Sequence, residues 1–464
     1  MTLQFCGAAR EVTGSAHLLT LDDGYKILLD CGLYQGRNDE MEDFNENFLF
    51  PPAEIDCLVL SHAHIDHTGR VPGLYKQGYR GPIYATHATR SLCAIMLLDS
   101  AYIQERDAEY YNKKHQSGPQ RTPLYTTEDV KPTMDNFIGL PYGEWHQIRE
   151  GVEIQYRDAG HILGSANVTL RIQTGGGERI LGFSGDIGRP DRPILRDPRR
   201  MPECDYMICE STYGDRLHEA KPAETEKFLN VIRHTCINKK GKLLIPAFSV
   251  GRTQEIVYML DQMESSGQLP RVPVFVDSPL AVNATNIFGT HSECYDGDLN
   301  EYLLRDDDPF GFRNLSYIRK AAESKKLNHL DGPAIIISSS GMMNAGRSKH
   351  HLRNLIGSGH NTILIVGYCA PHTPGGKLRD GVDGMKLYGE YHEVKAEVVL
   401  LEGFSAHGDQ AEMIDFLQGQ QRRNKHLFLV HGTLDRMEIF RDKLQGVGFK
   451  DVQIPELGEV VNLG

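Results

Sequence analysis

The chain has 464 residues, too many for one ordinary hydrophobic core, so two or three domains are expected. Its content of 40% hydrophobic and 24% charged residues is typical of a globular protein, and no apolar run reaches the roughly 18 residues of a membrane-spanning helix. The formal net charge of -12 argues against bulk, non-specific polyanion binding, but not against a local basic or metal-bearing cleft.

The nine cysteines are scattered along the chain without a Cys-x-x-Cys pair. An odd number with no regular spacing predicts reduced thiols and a cytoplasmic location. The first residues, Met1 to Gly7, have neither a basic flank nor a long apolar stretch, so no secretory signal is expected. No membrane association is expected either.

Short strands, turns and one long helix are predicted for the first part of the chain. The strands are expected at 5–8, 17–21, 26–30, 55–60 and 82–86. A short helix is expected within 71–81. Apolar residues near a 3.6-residue period predict a helix over 88–111, and the polar stretch 112–127 with its two prolines predicts a loop.

The middle of the chain begins with a second group of strands, predicted at 152–156, 167–172, 180–184 and 205–210. Helices at 223–236 and 251–265 then alternate with strands at 242–246, 272–276 and 334–338. This alternation indicates βαβ units and a parallel sheet. The last part is predicted to contain a strand at 397–401, a loop at 403–408, a helix at 413–417 and a strand at 426–430.

The segment from Ser61 to His67, Ser-His-Ala-His-Ile-Asp-His, carries the strongest chemical signal. It follows the apolar strand 55–60, and a loop at a strand end lets neighbouring side chains point in different directions. Imidazole nitrogens and carboxylate oxygens are ligands that zinc prefers. The segment predicts a two-metal site whose local ligands are His62, His64, Asp66 and His67.

Other apolar strands also end in candidate ligands with glycine neighbours, namely His161, Asp186 and His431. Two metals need more ligands than the first segment provides, so these residues are expected to complete the site. One metal would be held by His62, His64 and His161. The other would be held by Asp66, His67 and His431, with Asp186 bridging. Two metals about 3.5–4 Å apart can share one water, lower its pKa and clamp an in-line phosphoryl displacement.

A leaving alkoxide also needs a proton, and His407 is the candidate acid because it is surplus to the ligand count. Glu210, at its own strand end, would hydrogen-bond His407; the alternative is an exposed capping carboxylate. Asp30 is expected to hold a ligand histidine from behind, with a turn-capping role as the alternative. Asp66 is assigned a catalytic role as well as a ligand role.

A second group of residues suits phosphate rather than metal. The strand 334–338 opens into a turn, and the backbone N–H groups and hydroxyls of Ser338, Ser339, Ser340 and Gly341 are expected to cradle phosphate oxygens. Arg252, at a predicted helix start, and Lys377 supply candidate cations. The alternative is an ordinary serine turn with solvated surface cations.

Taken in chain order, these segments resemble the β-CASP branch of the metallo-β-lactamase superfamily. The likeness covers nearly the whole chain, from Gly7-Ala8-Ala9-Arg10-Glu11-Val12-Thr13-Gly14-Ser15 to Val430-His431-Gly432. It is nearest to the bacterial and archaeal RNA-processing members related to the nuclease of the eukaryotic cleavage-and-polyadenylation machinery. The ordered acids and histidines make it specific: Asp30, His62, His64, Asp66, His67, His161, Asp186, Glu210, His407 and His431.

The resemblance implies an α/β fold, an αββα sandwich of two facing sheets into which a β-CASP domain with a mainly parallel sheet is inserted. Residues 1–210 and 391–464 would form the two parts of the sandwich domain, and 211–390 the β-CASP domain. The active site would lie in the cleft between the two domains. Two zinc ions per chain would hydrolyse a phosphodiester bond there and leave a 5′-phosphate and a 3′-hydroxyl. Manganese suits the same ligands.

Three segments of the family bear on the substrate. RNA-acting members tend to carry a histidine at the position of His431, where DNA-repair members tend to carry valine. The turn at 338–341 corresponds to a phosphate-contact segment. Thr373 and Lys377, in a segment similar to family residues over 367–377, are counted with the RNA contacts, although His372 stands where the family usually has glycine.

The leading hypothesis is a zinc-dependent ribonuclease, most simply an endonuclease on single-stranded RNA. Exonucleolytic cutting from the 5′ end and a homodimer are left open. A small-molecule metallohydrolase would explain residues 62–67 but neither the long insertion nor the serine turn. A catalytically silent RNA-binding subunit would be expected to have lost ligands, and this chain retains them all.

Overall fold

The fold was obtained as a computed structural model that describes residues 1–36, 43–218, 223–367, 369–401 and 405–464. The chain divides into two compact units, the first made of Met1–Leu217 and His407–Gly464 and the second of His218–Ala406. The first unit is thus built from two separate stretches of chain. The three predicted segments, 1–210, 211–390 and 391–464, remain a prediction about the domains. Part of the predicted loop 403–408 lies outside the described residues.

One sheet of the first unit has seven strands, β1 (Thr2–Phe5), β2 (His17–Thr20), β3 (Lys26–Leu29), β4 (Cys57–Val59), β5 (Ile83–Thr86), β6 (Phe137–Leu140) and β22 (Val460–Asn462). They lie in the order β22-β1-β2-β3-β4-β5-β6, and β3 to β6 run parallel. The first strand was predicted three residues too late along the chain. It ends at Phe5 because the backbone soon turns through Ala8, whose φ of 47° lies in the left-handed region.

The other sheet of this unit also has seven strands, β7 (Trp145–Arg149), β8 (Val152–Asp158), β9 (Ala166–Thr174), β10 (Gly177–Phe183), β11 (Tyr206–Glu210), β20 (His426–Val430) and β21 (Val452–Gln453). Their order is β21-β20-β11-β10-β9-β8-β7. Strands β10, β11 and β20 run parallel. Strand β9 is antiparallel to both β8 and β10, so β8 points the same way as β10.

The main core of the first unit lies between its two sheets. Phe5, Leu29 and Val59 come from the first sheet, and Val168 and Phe428 come from the second. All are almost completely buried. The far face of the second sheet is covered as well, which explains why β11 and β20 are continuous apolar runs rather than alternating ones.

Helices cover the outer faces of the sheets and so complete an αββα sandwich. In the first unit they are α1 (Ile65–Thr68), α2 (Val71–Lys76), α3 (His87–Lys114), α4 (Thr127–Met134), α12 (Gln410–Phe416) and α13 (Leu434–Gly446). Helix α3 contacts β5 and β6, and α12 and α13 pack on β11 and β20. The predicted loop 112–127 is shorter at both ends, because α3 continues to Lys114 and a capping box of Thr126 and Asp129 starts α4.

The second unit contains the predicted parallel sheet. Its strands are β12 (Lys242–Pro246), β13 (Val274–Asp277), β14 (Leu315–Tyr317), β15 (Ala334–Ser338), β16 (Thr362–Ile365) and β19 (Glu397–Leu400). They lie in the order β14-β13-β15-β12-β16-β19 and all the pairings are parallel. A hairpin of β17 (Gly384–Leu387) and β18 (Glu390–Glu393) precedes β19 in the chain.

The helices of the second unit alternate with these strands, as the sequence predicts. They are α5 (Ala223–Ile232), α6 (Arg252–Ser265), α7 (Pro279–Phe288), α8 (Gly297–Tyr302), α9 (Ala321–Leu327), α10 (Gly346–Leu355) and α11 (Pro374–Arg379). The predicted helix 223–236 changes at Arg233 into a π-helix that ends at Asn238. Within the described residues, no helix is both long enough and apolar enough to span a bilayer.

Candidate metal centre

The predicted ligands of the first unit meet at one edge of its two sheets. Strands β8, β10, β11 and β20 all point the same way, so residues at or just after their carboxyl ends emerge together. These residues are His161, Asp186, Glu210 and His431. The segment after β4 joins the same edge, since the Ala166 N–H at the start of β9 donates to the Ser61 carbonyl at 2.9 Å. Parallel strand ends therefore explain why residues remote in sequence converge.

Three histidines form the first donor cluster. His64 Nδ1 lies 3.1 Å from His62 Nε2 and 3.1 Å from His161 Nε2. His62 and His161 are almost completely buried. Nδ1 of His64 and Nε2 of His62 and His161 thus point toward one common position.

A second donor cluster contains Asp66, His67 and His431. His67 Nε2 lies 3.2 Å from His431 Nε2, which in turn lies 3.5 Å from Asp66 Oδ2. Helix α1, which carries Asp66, is held tightly against the segment after β3, because a Cβ atom on Gly32 would lie only 1.6 Å from the Asp66 carbonyl oxygen. Only glycine fits at position 32.

Asp186 lies between the two clusters with one carboxylate oxygen toward each. Oδ2 is 3.4 Å from both His62 Nε2 and His161 Nε2, and Oδ1 is 3.2 Å from His67 Nε2 and 3.7 Å from His431 Nε2. Oδ1 is buried and has no hydrogen-bond partner among the described residues. This is the arrangement of a bridging carboxylate.

The donor set fits two divalent cations. Ligand atoms of a tetrahedral zinc ion, bound at about 2.0–2.1 Å, lie roughly 3.3 Å apart. The separations of 3.1 to 3.5 Å within each cluster are close to that value. Among the described residues, three groups of donor atoms lie close enough together to hold a cation: His62, His64, His161 and Asp186; Asp66, His67 and His431; and Asp186, Glu210 and His407. The third shares Asp186 with the first, and its Glu210 already accepts the Ile187 N–H, so the first two groups are the better candidates.

The charge states of the cluster also suit a metal. Burial lowers the pKa of His64 to about 4 and those of His62 and His161 well below the usual histidine value, so these imidazoles are neutral and keep a lone pair. Burial opposes ionisation of Asp186, but the surrounding histidines, His431 first, hold its pKa well below the usual range. The first cluster therefore offers neutral nitrogens beside an ionised carboxylate. In the second cluster burial opposes the charge on His67, but Asp186 and then Asp30 raise the pKa of His67 well above the usual histidine value, so a cation bound there would have to displace its proton.

Several side chains behind the clusters fix the ligands. Asp30 Oδ2 accepts from His67 Nδ1 at 2.6 Å, while Oδ1 accepts from the Ser61 N–H at 2.8 Å. Asp30 therefore contacts a candidate ligand, and its role in holding that ligand stays a prediction. The Ser61 hydroxyl donates to Asp30 Oδ2 at 2.8 Å and lies 3.0 Å from His62 Nδ1.

Thr212 was missed by the sequence reasoning. Its Oγ1 donates to the His431 carbonyl at 3.1 Å and lies 3.0 Å from His431 Nδ1, from which it can then only accept. This fixes the tautomer with a free lone pair on Nε2. The one available signal was its place two residues after Glu210 at a strand end.

His407 and Glu210 form a pair beside the clusters. His407 Nδ1 lies 3.1 Å from Glu210 Oε2 and 3.9 Å from Asp186 Oδ2. Glu210 is buried and also accepts the Ile187 N–H. Burial opposes the charge on His407, but Glu210 and then Asp186 raise its pKa to about 9. The imidazolium therefore predominates at neutral pH.

The residues predicted to contact phosphate lie in the second unit, at the carboxyl ends of its parallel strands. Ser338 is buried and its hydroxyl donates to the Asp277 carbonyl at 2.8 Å. Ser340 Oγ donates to Asn344 Oδ1 at 2.8 Å. The Thr373 hydroxyl caps α11 by accepting the Gly376 N–H, and Lys377 on that helix is exposed. Their contact with phosphate stays a prediction.

Arg252, one of the predicted phosphate contacts, already pairs with a carboxylate. Its side chain is buried and donates to Glu255, one turn further along α6. The carboxylate neutralises the guanidinium, so an anion would have to compete with Glu255 for it.

Comparisons with known families agree with this geometry. Residues 18–179 match the metallo-beta-lactamase superfamily domain. Residues 253–378 match the Beta-Casp domain. Residues 391–455 match a domain described as a Zn-dependent metallo-hydrolase RNA specificity domain.

Full-length relatives support the same assignment. "Ribonuclease TTHA0252" of Thermus thermophilus is 35% identical over 455 residues, which cover 98% of each chain. "Transcription termination factor FttA" of Methanocaldococcus jannaschii is 30% identical over 98% of this chain and 70% of its own. A crystal structure of a protein of unknown function from Enterococcus faecalis superposes with a TM-score of 0.56 at 13% identity, covering 100% of this chain and 99% of its own, which bears on the fold alone. The chain belongs to the β-CASP branch of the metallo-β-lactamase superfamily and is a metal-dependent hydrolase.

Proposed function

We propose that this protein is a zinc-dependent ribonuclease that hydrolyses the phosphodiester bonds of single-stranded RNA, chiefly as an endonuclease. The observation that carries the proposal is the position of Asp186, whose two oxygens face two separate donor clusters while His407 lies beside them. The domain match to an RNA specificity domain and the ribonuclease among the relatives support RNA as the substrate.

In this proposal two zinc ions bind per chain. One is held by His62, His64 and His161, and the other by Asp66, His67 and His431, with Asp186 shared. When bound, the ions act as Lewis acids that lower the pKa of a water and neutralise the charge on phosphate. Manganese suits the same nitrogen and oxygen donors. The protein's own share is to hold these donors rigid from behind, through Asp30, Ser61 and Thr212.

The proton steps fall to His407 and Asp66. Water attacks phosphorus, and the bond from phosphorus to the 3′ oxygen breaks. Asp66, whose side chain is 20% exposed, holds the water and takes its proton. His407 gives its proton to the leaving 3′ oxygen, so the products are a 3′-hydroxyl and a 5′-phosphate. The pKa of His407 would be raised less with cations bound beside Asp186, which would bring it nearer the range in which a general acid works best.

Glu210 acts on His407 rather than on the substrate. Its carboxylate orients the imidazole through Nδ1, which leaves Nε2 to carry the proton toward the reacting oxygen. The antiparallel backbone bridge between His407 and Gly188 fixes the same histidine from its main chain. His407 is therefore held on two sides, by the Glu210 carboxylate and by its own backbone.

The proposed cellular location is based on the cysteines. All nine cysteines are buried thiols, which suits a reducing compartment, and we place the protein in the cytoplasm. The homodimer stays a prediction. Neither alternative activity has an observation in its favour: every proposed ligand position is filled, unlike in a silent subunit, and the comparisons point to RNA rather than to a small molecule.

The proposal is tested with one RNA labelled separately at its 5′ and 3′ ends. The zinc-loaded protein should produce internal fragments from both labels, and excess chelator should abolish cleavage until zinc is restored. The H64A variant, prepared identically, controls for contaminating nucleases. Absence of zinc-dependent cleavage would refute the function, and release of mononucleotides from the 5′ label alone would replace the endonuclease by a 5′→3′ exonuclease.

We also expect Thr212→Val to weaken zinc binding by about 10- to 100-fold, because His431 loses the group that fixes its tautomer. Competition with a chelator of known affinity measures the effect. Thr169→Val is the matched control, since Thr169 is also buried, on β9, and its hydroxyl has no hydrogen-bond partner among the described residues. Equal zinc affinities for the two variants would contradict the role of Thr212.

A further inference from the structure

Phe248 is an exposed aromatic residue in an otherwise buried stretch of the second unit. It lies between β12 and α6, where its neighbours Ala247 and Val250 are 1% and 4% exposed. The Phe248 side chain, in contrast, is 44% exposed. Single exposed hydrophobic residues are common on protein surfaces, so a role for this ring depends on what lies beside it.

The backbone of Phe248 is firmly fixed. Its carbonyl accepts the Thr253 hydroxyl at 2.7 Å and the Thr253 N–H at 3.3 Å. These bonds tie the residue to the first turn of α6. The exposure of the ring is therefore a property of the ordered fold and not of a frayed segment.

The ring borders the serine turn that follows β15. A Cβ atom on Gly341 would lie 3.3 Å from two ring carbons of Phe248, so one edge of the ring rests on the glycine backbone. Ser339 Oγ donates to Ser278 Oγ at 2.8 Å, and Ser278 Oγ lies 3.2 Å from Ser249 Oγ. A row of hydroxyls and an exposed aromatic ring thus share the carboxyl edge of the parallel sheet.

We propose that Phe248 is a base-stacking residue for the RNA substrate, with the adjoining turn of Ser339 and Ser340 contacting the backbone of the same strand. This rests on the ribonuclease function proposed above and extends it to substrate selection. Every nucleobase has a π face, so the contact tolerates any sequence. In a duplex each base is already stacked on both sides, so the ring selects unpaired RNA.

The test measures binding of a fluorescent single-stranded RNA to the full-length, zinc-loaded H407A variant, which we expect to bind without cutting. Adding F248A or F248L should raise Kd by about 5- to 150-fold, the range of one base–aromatic stack. F248Y keeps the ring and should bind normally. F248L retains apolar volume, so it separates stacking from simple packing. Y110A removes a 69% exposed ring from α3 and should leave Kd unchanged.

RNAs that carry one abasic nucleotide, moved along the strand, identify the stacked base. At one position, removal of the base should weaken binding to the protein that carries Phe248. The same abasic RNA should bind the F248A variant as tightly as intact RNA does. Normal RNA binding by F248L would overturn the stacking role. So would a loss of affinity on base removal that is the same, at every position, for the proteins with and without the Phe248 ring. Cleavage by the otherwise unmodified protein is measured in parallel: its absence would refute the function itself, whereas cleavage with an unchanged Kd for F248L would refute only this inference.

Discussion

Replacing Asp186 by Asn is expected to lower RNA cleavage by at least about a thousandfold, since it removes several kcal/mol of metal-dependent transition-state stabilisation. The aspartate has one oxygen near each donor cluster. Asparagine has one oxygen and one NH₂ group, and the NH₂ group cannot bind a cation. Zinc content, measured by mass spectrometry of the purified protein, should fall from two ions per chain to one or none.

Asp205→Asn is the matched control for this experiment. Asp205 is also buried in the second sheet of the first unit, but it precedes β11, whereas Glu210 ends that strand. It accepts the Ile180 N–H at 2.8 Å and Arg423 at 2.8 Å, so its loss should affect stability and not zinc. If the D186N protein kept two zinc ions and its activity, the bridging role would be wrong.

The second large effect is expected for His407→Ala, which should lower kcat by about 10²- to 10⁴-fold while zinc stays near two ions per chain. The variant removes the proton donor and leaves every proposed ligand in place. An RNA whose scissile 3′ oxygen is replaced by sulfur makes the test sharper. Sulfur leaves without needing a proton, so the H407A variant should lose much less activity on that substrate.

His426→Ala is the control for His407. It too pairs with a carboxylate, with Nδ1 2.5 Å from Asp451 Oδ2, but it begins β20, far from the strand end that carries His431. Turnover of this variant should be normal. Loss of a zinc ion from the H407A protein would make His407 a ligand, and an equal loss of rate on the oxygen and sulfur substrates would exclude it as the acid.

Much of the candidate metal centre was predictable because its residues are rare types at rigid places. The segment from His62 to His67 is dense in ligands, and each remote candidate ends an apolar strand. The grouping of the ligands was predicted only from the number of ligands that two metals need, since nothing local joins His161 to His64 or His431 to His67. The distances supply it, as does Asp186 between the groups.

The supporting residues were harder to predict for a chemical reason. Serine and threonine occur everywhere, so Ser61 and Thr212 have no distinctive pattern, and their importance lies in one hydrogen bond each to a histidine. Among the phosphate candidates, a residue with a distinctive charge was predicted, but the structure gives it another partner. Arg252 looked available in the sequence, but its partner Glu255 is only one helical turn away and neutralises it.

Element types were more predictable than element ends. The parallel sheet of the second unit followed from strand–helix alternation, and strands β12 and β15 have the predicted bounds. The end of helix α5, which begins at Ala223, was not predictable. The spacing of the apolar residues does not change where the helix becomes a π-helix at Arg233. The pairing of β19 with β16 is a tertiary contact that residues 397–401 alone do not reveal.

Anomalous diffraction at the zinc edge, from crystals grown with zinc, tests the central claim most directly. The account predicts two peaks about 3.5–4 Å apart, one among His62, His64 and His161 and one among Asp66, His67 and His431, with Asp186 touching both. A single peak, or a pair of ions with His161 and His431 turned away from them, would contradict it.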